Sequence, residues 1–177
     1  MDMAMHVVEC EIPSMSTLNR NANGSDQFHD CYQVPLARLE LGMVDIFFAV
    51  FGHKPLWIKL LLVARNVVAK RCGLETPTVA EIMSPEIRKA YRVGDPIGPW
   101  PIFSISANEL VAGRNNRHLD FRLSVLKQID GERGSVFVST VCKVHNRYGK
   151  VYLWLIVPFH RRGMRLLMSN AIAANRL

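Results

Sequence analysis

Two stretches in which apolar and polar residues alternate, 118–129 and 135–145, are joined by a short turn ending in Gly134, and they constrain the fold more than anything else in the chain. A strand side chain switches face at every step, so a slip of one residue in pairing sends every apolar group to the wrong side. Pairing Leu119 with Val144, Phe121 with Cys142, Leu123 with Thr140 and Val125 with Val138 keeps one face almost wholly apolar. An antiparallel hairpin in that register is expected. Residues 150–157 read as the next strand, reached through a turn at 146–149, so that Val144 meets Val151, Cys142 meets Leu153, Thr140 meets Leu155 and Val138 meets Val157. The opposite face then carries His118, Asp120, Arg122 and Ser124 against His145, Lys143, Val141 and Ser139, with Tyr152, Trp154 and Ile156 continuing it. Charged groups interleaved with aromatics suit a solvent face, a ligand cavity or a subunit contact, and alternation alone leaves all three open.

Upstream, Asn19, Asn21, Asn23, Gly24 and Ser25 lie in a stretch without period, so residues 1–30 are expected to form a mobile arm. A short strand over 31–36 follows, at an edge or end because of Pro35. A helix over 45–51 is closed by Gly52, and a second begins with Pro55 as its first residue and keeps Leu56, Leu60, Val63, Val67 and Val68 at helical spacing until Gly73. Pro77, Pro85 and Pro96 punctuate residues 75–98, leaving room for a short helix over 85–91; Gly98, Pro99, Trp100 and Pro101 form a rigid loop before a strand from Ile102. After Pro158, apolar Met164, Leu167, Met168, Ala171 and Ile172 return to helical spacing. Strand, two helices, consecutive antiparallel strands and a C-terminal helix make an α+β layout, with one domain over 31–177.

Residues 133–177 hold eight Lys or Arg and no Asp or Glu, so the net charge of +7 belongs to the last quarter of the chain. Such a patch suits an anionic ligand, nucleic acid or an acidic membrane surface, or is simply a solvated basic face. Arg161, Arg162 and Arg165 come with no recognised single-strand-binding motif, and their helix has an apolar face to bury, so nucleic acid is not expected. The longest nearly apolar run, residues 56–64, is broken by Lys59 and too short to span a bilayer. Cys10, Cys31, Cys72 and Cys142 lack metal-ligand spacing. Without a secretory leader pattern, a cytoplasmic protein with reduced thiols is expected. There is no Gly-rich phosphate loop, His-Glu-x-x-His helix or Gly-x-Ser-x-Gly elbow, so no reaction is named.

Candidate chemistry centres on His118, Asp120 and His145, because a carboxylate beside imidazole raises its pKa and orients its tautomer. Such a set would serve proton transfer in a cyclase, dehydratase or hydrolase; the same residues also make an ordinary polar network joining strand ends. For ligand contact, Arg122 beside Trp154 offers a stacked guanidinium, with Lys143 and Tyr152 on the same face. Glu109 stands either at the mouth of a cavity or as an exposed strand carboxylate. Trp100 either closes one end of a cavity or anchors its loop to the core. His160, entering the last helix, is assigned to capping or packing.

The segments His118-Leu119-Asp120-Phe121-Arg122, His145-Asn146-Arg147-Tyr148-Gly149 and Val157-Pro158-Phe159-His160 together resemble an uncharacterised bacterial domain-of-unknown-function family, also found fused behind short-chain-dehydrogenase-like domains. That family is similar to the helix-grip superfamily of START-like and polyketide-cyclase-like proteins. The resemblance covers roughly residues 31–173. It implies a sheet wrapped around a long C-terminal helix with a cavity between them, and as ligand an apolar or amphipathic small molecule. It implies no catalytic residues, and with no dehydrogenase-like segment ahead of the domain, no cofactor. Whether the protein is an enzyme stays open, as does a homodimer formed through the mixed face.

Overall fold

The structure, a computed structural model, describes residues 6–19, 27–71, 88 and 90–177. Seven strands form one antiparallel sheet: β1 (Val8–Glu9), β2 (Gln27–Leu36), β3 (Pro96–Ile97), β4 (Trp100–Ile105), β5 (Glu109–Asn115), β6 (Leu119–Asp130) and β7 (Arg133–Val144), in the order β1-β2-β7-β6-β5-β4-β3. Helices α1 (Met43–Phe51) and α2 (Leu56–Arg71) follow β2, and α3 (Arg147–Ala173) closes the chain. The fold is α+β, an open sheet with a long C-terminal helix in a helix-grip arrangement. The expected short helix over 85–91 lies almost wholly outside the described residues.

The β6–β7 hairpin has the register that alternation demands: Leu119 opposite Val144, Phe121 opposite Cys142, Leu123 opposite Thr140, Val125 opposite Val138. Its turn is tighter than residues 130–134, since Asp130 still pairs with Arg133. Gly131, at φ 57°, takes the first central position, which a type II′ turn assigns to glycine.

The third strand of the sequence reading is a helix. Residues 150–157 belong to α3, and the neighbour of β7 is β2, which pairs Phe28 with Cys142, Asp30 with Thr140, Tyr32 with Val138 and Val34 with Val136. β2 therefore begins at Gln27, four residues before the expected strand, and Pro35 stands near its end, beyond the reach of β1. Asn146 explains the exchange. Its backbone is extended (φ −159°) and its side-chain oxygen accepts the Gly149 N–H at 3.1 Å, which is a helix N-cap and not a hairpin turn. A Cβ on Gly149 would clash with the His118 carbonyl oxygen, so glycine is what lets the first turn of α3 close on the start of β6. Pro158 lies inside α3, where it forfeits only the bond to the Trp154 carbonyl.

Each face of the sheet has its own cover. The main core joins Tyr32, Val34, Leu123, Val125, Val136 and Val138 to Ile46, Phe47 and Val50 of α1 and to Met164, Leu167 and Met168 of α3. On the opposite face Cys31, Val111 and Val141 pack under Ile12 and Leu18. Within the stretch read as an arm, then, residues 8–9 form β1, residues 27–30 open β2, and the segment between β1 and residue 19 lies over the sheet. Glu109 fastens it. This carboxylate, 5% exposed, accepts from Ser16 Oγ at 2.7 Å, Ser124 Oγ at 2.6 Å and the Thr17 N–H at 3.1 Å. It is neither an exposed strand residue nor a group at a cavity mouth. No single helix among the described residues is long and apolar enough to cross a membrane. The bent pair α1–α2 has the composition, but Ile46, Phe47, Val50 and Phe51 of α1 are in the core.

Two substitutions test these contacts by chemical denaturation. Helix propensity alone says Gly149→Ala stabilises by about 1 kcal/mol; the clash with His118 says it destabilises by about 1–3 kcal/mol, and a gain in stability would contradict the packing. Glu109→Ala strands two buried hydroxyl donors and frees the Thr17 N–H, and is expected to cost about 3 kcal/mol, with new protease cleavage within residues 10–19; a loss below about 1 kcal/mol would contradict the latch.

Candidate functional site

The residues singled out by alternation do not assemble into one site. His145 Nε2 and Asp120 Oδ2 lie 3.1 Å apart on the sheet face turned away from α3, both partly exposed. The His118 ring instead meets the Asn146 amide, 3.1 Å from Nδ1 to Oδ1, and lies 5.7 Å from the Tyr148 ring. The geometry thus joins two members of the acid–base set and gives the third to the cap of α3. Lys143 is Asp120's cross-strand neighbour and is exposed.

Arg122 stacks on Phe103, 3.7 Å from guanidinium carbon to ring centre, and donates to the Phe121 carbonyl at 2.9 Å and to Asn115 Oδ1 at 2.6 Å. Burial lowers its pKa, the Asp120 charge opposing. Its expected partner, Trp154, sits on α3 and is 76% exposed. Tyr152, also on α3, is half-buried. Trp100 packs its ring against Phe47, Phe51 and Phe121 at 5.6–6.3 Å, on the core side of the sheet. That is the loop-anchoring geometry, although its ring remains half-exposed. Cys10 and Cys31, distant in sequence, bring their sulfurs to 3.4 Å, yet burial pushes the Cys31 thiol up to about 12, so its thiolate is disfavoured at neutral pH.

A second group of polar side chains lies on the helix-covered face. Asp30 of β2 is buried at 4% exposure, with His160 Nε2 of α3 at 3.3 Å from both of its oxygens and the Tyr32 hydroxyl donating at 3.4 Å. Burial, reinforced by the Asp30 charge, pushes the Tyr32 hydroxyl up to about 12, so it is a donor at any physiological pH. Thr140, opposite Asp30 on β7, is buried with its Oγ1 lacking a hydrogen-bond partner among the described residues. His160 also sets its ring edge to face with Phe28, 6.0 Å between centres. Capping is therefore not its role, because α3 starts thirteen residues earlier, at Arg147. Sequence reasoning misses this group because Asp30 falls at the end of the stretch without period, 130 residues from His160. The signal available was the continuation of β2's alternation: Phe28, Asp30, Tyr32, Val34 and Leu36 share one face.

Burial along α3 is uneven. Its inward stripe is buried at Met164, Leu167, Met168, Ala171 and Ile172 but only half-buried at Tyr152, Leu153, Ile156, Val157 and His160. On the sheet, Val136 and Val138 are fully buried, whereas at the other end Phe28, Phe121 and Val144 are half-buried around buried Cys142 and Leu119. The helix and sheet are thus packed tight at one end and looser at the end where α3 begins. The Asp30–His160 contact lies between the two regimes. A depression of about 280 Å³ is found at the far, tight end, lined by Leu36, Gly134, Ile172 and Leu177 among others.

No curated protein sequence matches the chain. A family described as protein of unknown function, DUF2867, matches residues 23–166, from just before β2 to about three-quarters of the way along α3, and so takes in β2 to β7 and the loosely packed first half of α3. The chain belongs to that family of proteins of unknown function.

Proposed function

We propose that the protein binds an apolar or amphipathic small molecule between the first half of α3 and the sheet, as a cytoplasmic, START-like, polyketide-cyclase-like member of the helix-grip superfamily. The observation that carries the reading is the uneven burial of α3's inward stripe: Tyr152, Leu153, Ile156 and Val157 are only half-buried, as are Phe121, Val144 and Phe28 on the helix-covered face of the sheet. Apolar surface facing apolar surface without full burial forfeits the stabilisation that closing it would bring, about 25 cal/mol per Å². An apolar guest recovers it. Binding is preferred over acid–base catalysis because the Asp120–His145 pair faces away from this gap and His118 is engaged by the cap of α3.

The test uses 1-anilinonaphthalene-8-sulfonate as an apolar fluorescent probe. Ile156→Trp, which fills the gap, is expected to weaken its binding about tenfold or more, while Trp154→Glu on the outer side of α3 leaves it unchanged. Binding unaffected by Ile156→Trp, or abolished by Trp154→Glu, would move the probe to the outer surface and contradict the reading.

A distinct observation favours a subunit contact. Tyr148, Val151, Trp154, Leu155 and Phe159 make an exposed apolar stripe along the outer side of α3. On this reading the occupant is a second copy of the chain. Sedimentation equilibrium should then give a dimer for the wild type and a monomer for Trp154→Glu; a wild-type monomer at high concentration removes it.

A further inference from the structure

Asp30 and Thr140 face each other across β2 and β7, both at least 96% buried and both on the side covered by α3. Thr140 Oγ1 has no hydrogen-bond partner among the described residues. Among the described residues the Asp30 carboxylate is served only by long contacts, 3.3 Å to His160 Nε2 and 3.4 Å from the Tyr32 hydroxyl, against about 2.7–2.9 Å for a good charge-assisted bond. Glu109 on the opposite face shows what full satisfaction looks like in this fold, with hydroxyl donors at 2.6 and 2.7 Å. Buried polar atoms are almost always completed by something, and an unmade bond next to a carboxylate is the costlier kind. The pair lies at the edge of the loosely packed end: Phe28, two residues before Asp30, and His160 are both half-buried.

We infer that Asp30 and Thr140 hold the polar head of the ligand bound under α3, and that this head is a hydroxyl. The inference rests on the binding proposed above. A hydroxyl donates to the Asp30 carboxylate and accepts from Thr140 Oγ1, completing both groups at once. A ketone accepts only and leaves the carboxylate unmet. A carboxylate head meets the Asp30 charge at close range. An ammonium can donate to both groups, but it adds a third cation beside Arg161, 5.7 Å from the Phe28 ring, and Arg165, 5.6 Å from the Tyr32 ring, against the single Asp30 charge and a helix with no acidic residue. The ligand class is therefore an uncharged alcohol with an apolar body that fills the space between Ile156, Val157 and Phe121. His160, held edge-on by Phe28, is a positioning residue that steadies the carboxylate.

Competition against the same fluorescent probe tests this on the full chain with decan-1-ol, 1-methoxynonane, decylamine and decanoate. The alcohol is expected to bind about tenfold or more tightly than the methyl ether, which cannot donate. Thr140→Val and Asp30→Asn should each pull that ratio towards one while leaving ether affinity within about twofold; Thr140→Val is nearly isosteric and carries the test if Asp30→Asn does not fold. Equal binding of alcohol and ether by the wild type overturns the head contact and leaves the gap standing. Tighter binding of the amine or the carboxylate overturns the hydroxyl assignment. Failure of all four to bind folded protein overturns this inference together with the binding reading beneath it.

Discussion

At Asn146 the chain leaves the sheet and turns straight into a helix, and the Asn146 side chain holds that turn by accepting the Gly149 N–H. The absence of a Cβ on Gly149 lets the helix start against the His118 carbonyl, so α3 is forced back over the face from which Val144 and Cys142 project. Had the chain continued as a strand, it would have paired with β7 and displaced β2. Because it does not, β7 is free to take β2 as its neighbour, and β1 and β2 join a sheet whose other members come from the second half of the sequence. The 27-residue helix runs about 40 Å at 1.5 Å per residue. It is packed along its second half and raised along its first.

Two buried carboxylates, one on each face, show how differently the two covers behave. Glu109 collects short bonds from Ser16, Ser124 and the Thr17 backbone, and these fix the N-terminal segment over Val111 and Val141. Asp30 is as deeply buried yet among the described residues has only long contacts, beside a hydroxyl with none. The first arrangement is complete in itself and reads as structure. The second is incomplete where helix and sheet are loosest, which is why the binding account is built there and not around the more conspicuous Asp120–His145 pair.

The β6–β7 register was legible residue by residue, because one apolar face and one polar face leave a single pairing that buries the former. The first half of α3 was not. Residues 151–157 are apolar at every position, so neither a period of two nor of 3.6 is excluded, and the β-branched Val151, Ile156 and Val157 lean towards strand. Asn146 and Gly149 suit a hairpin turn as well as an N-cap, and Pro158 looks like a terminator when it is an interior residue. The site suffered from the same error. Placing Trp154 and Tyr152 on a strand put them beside Arg122, whereas Arg122 found Phe103 and Trp154 points to solvent. Asp30 with His160 had no local signature, since only the β2–β7 pairing and the path of α3 bring them together.

The most direct measurement is a set of nuclear Overhauser contacts between bound, unlabelled decan-1-ol and the methyl groups of isotopically labelled protein. The account predicts contacts to Ile156, Val157 and Val144, with the carbinol end nearest the Thr140 methyl and none to Met168 or Ile172. Contacts confined to the second half of α3 or to the outer stripe at Val151 and Leu155 would contradict it.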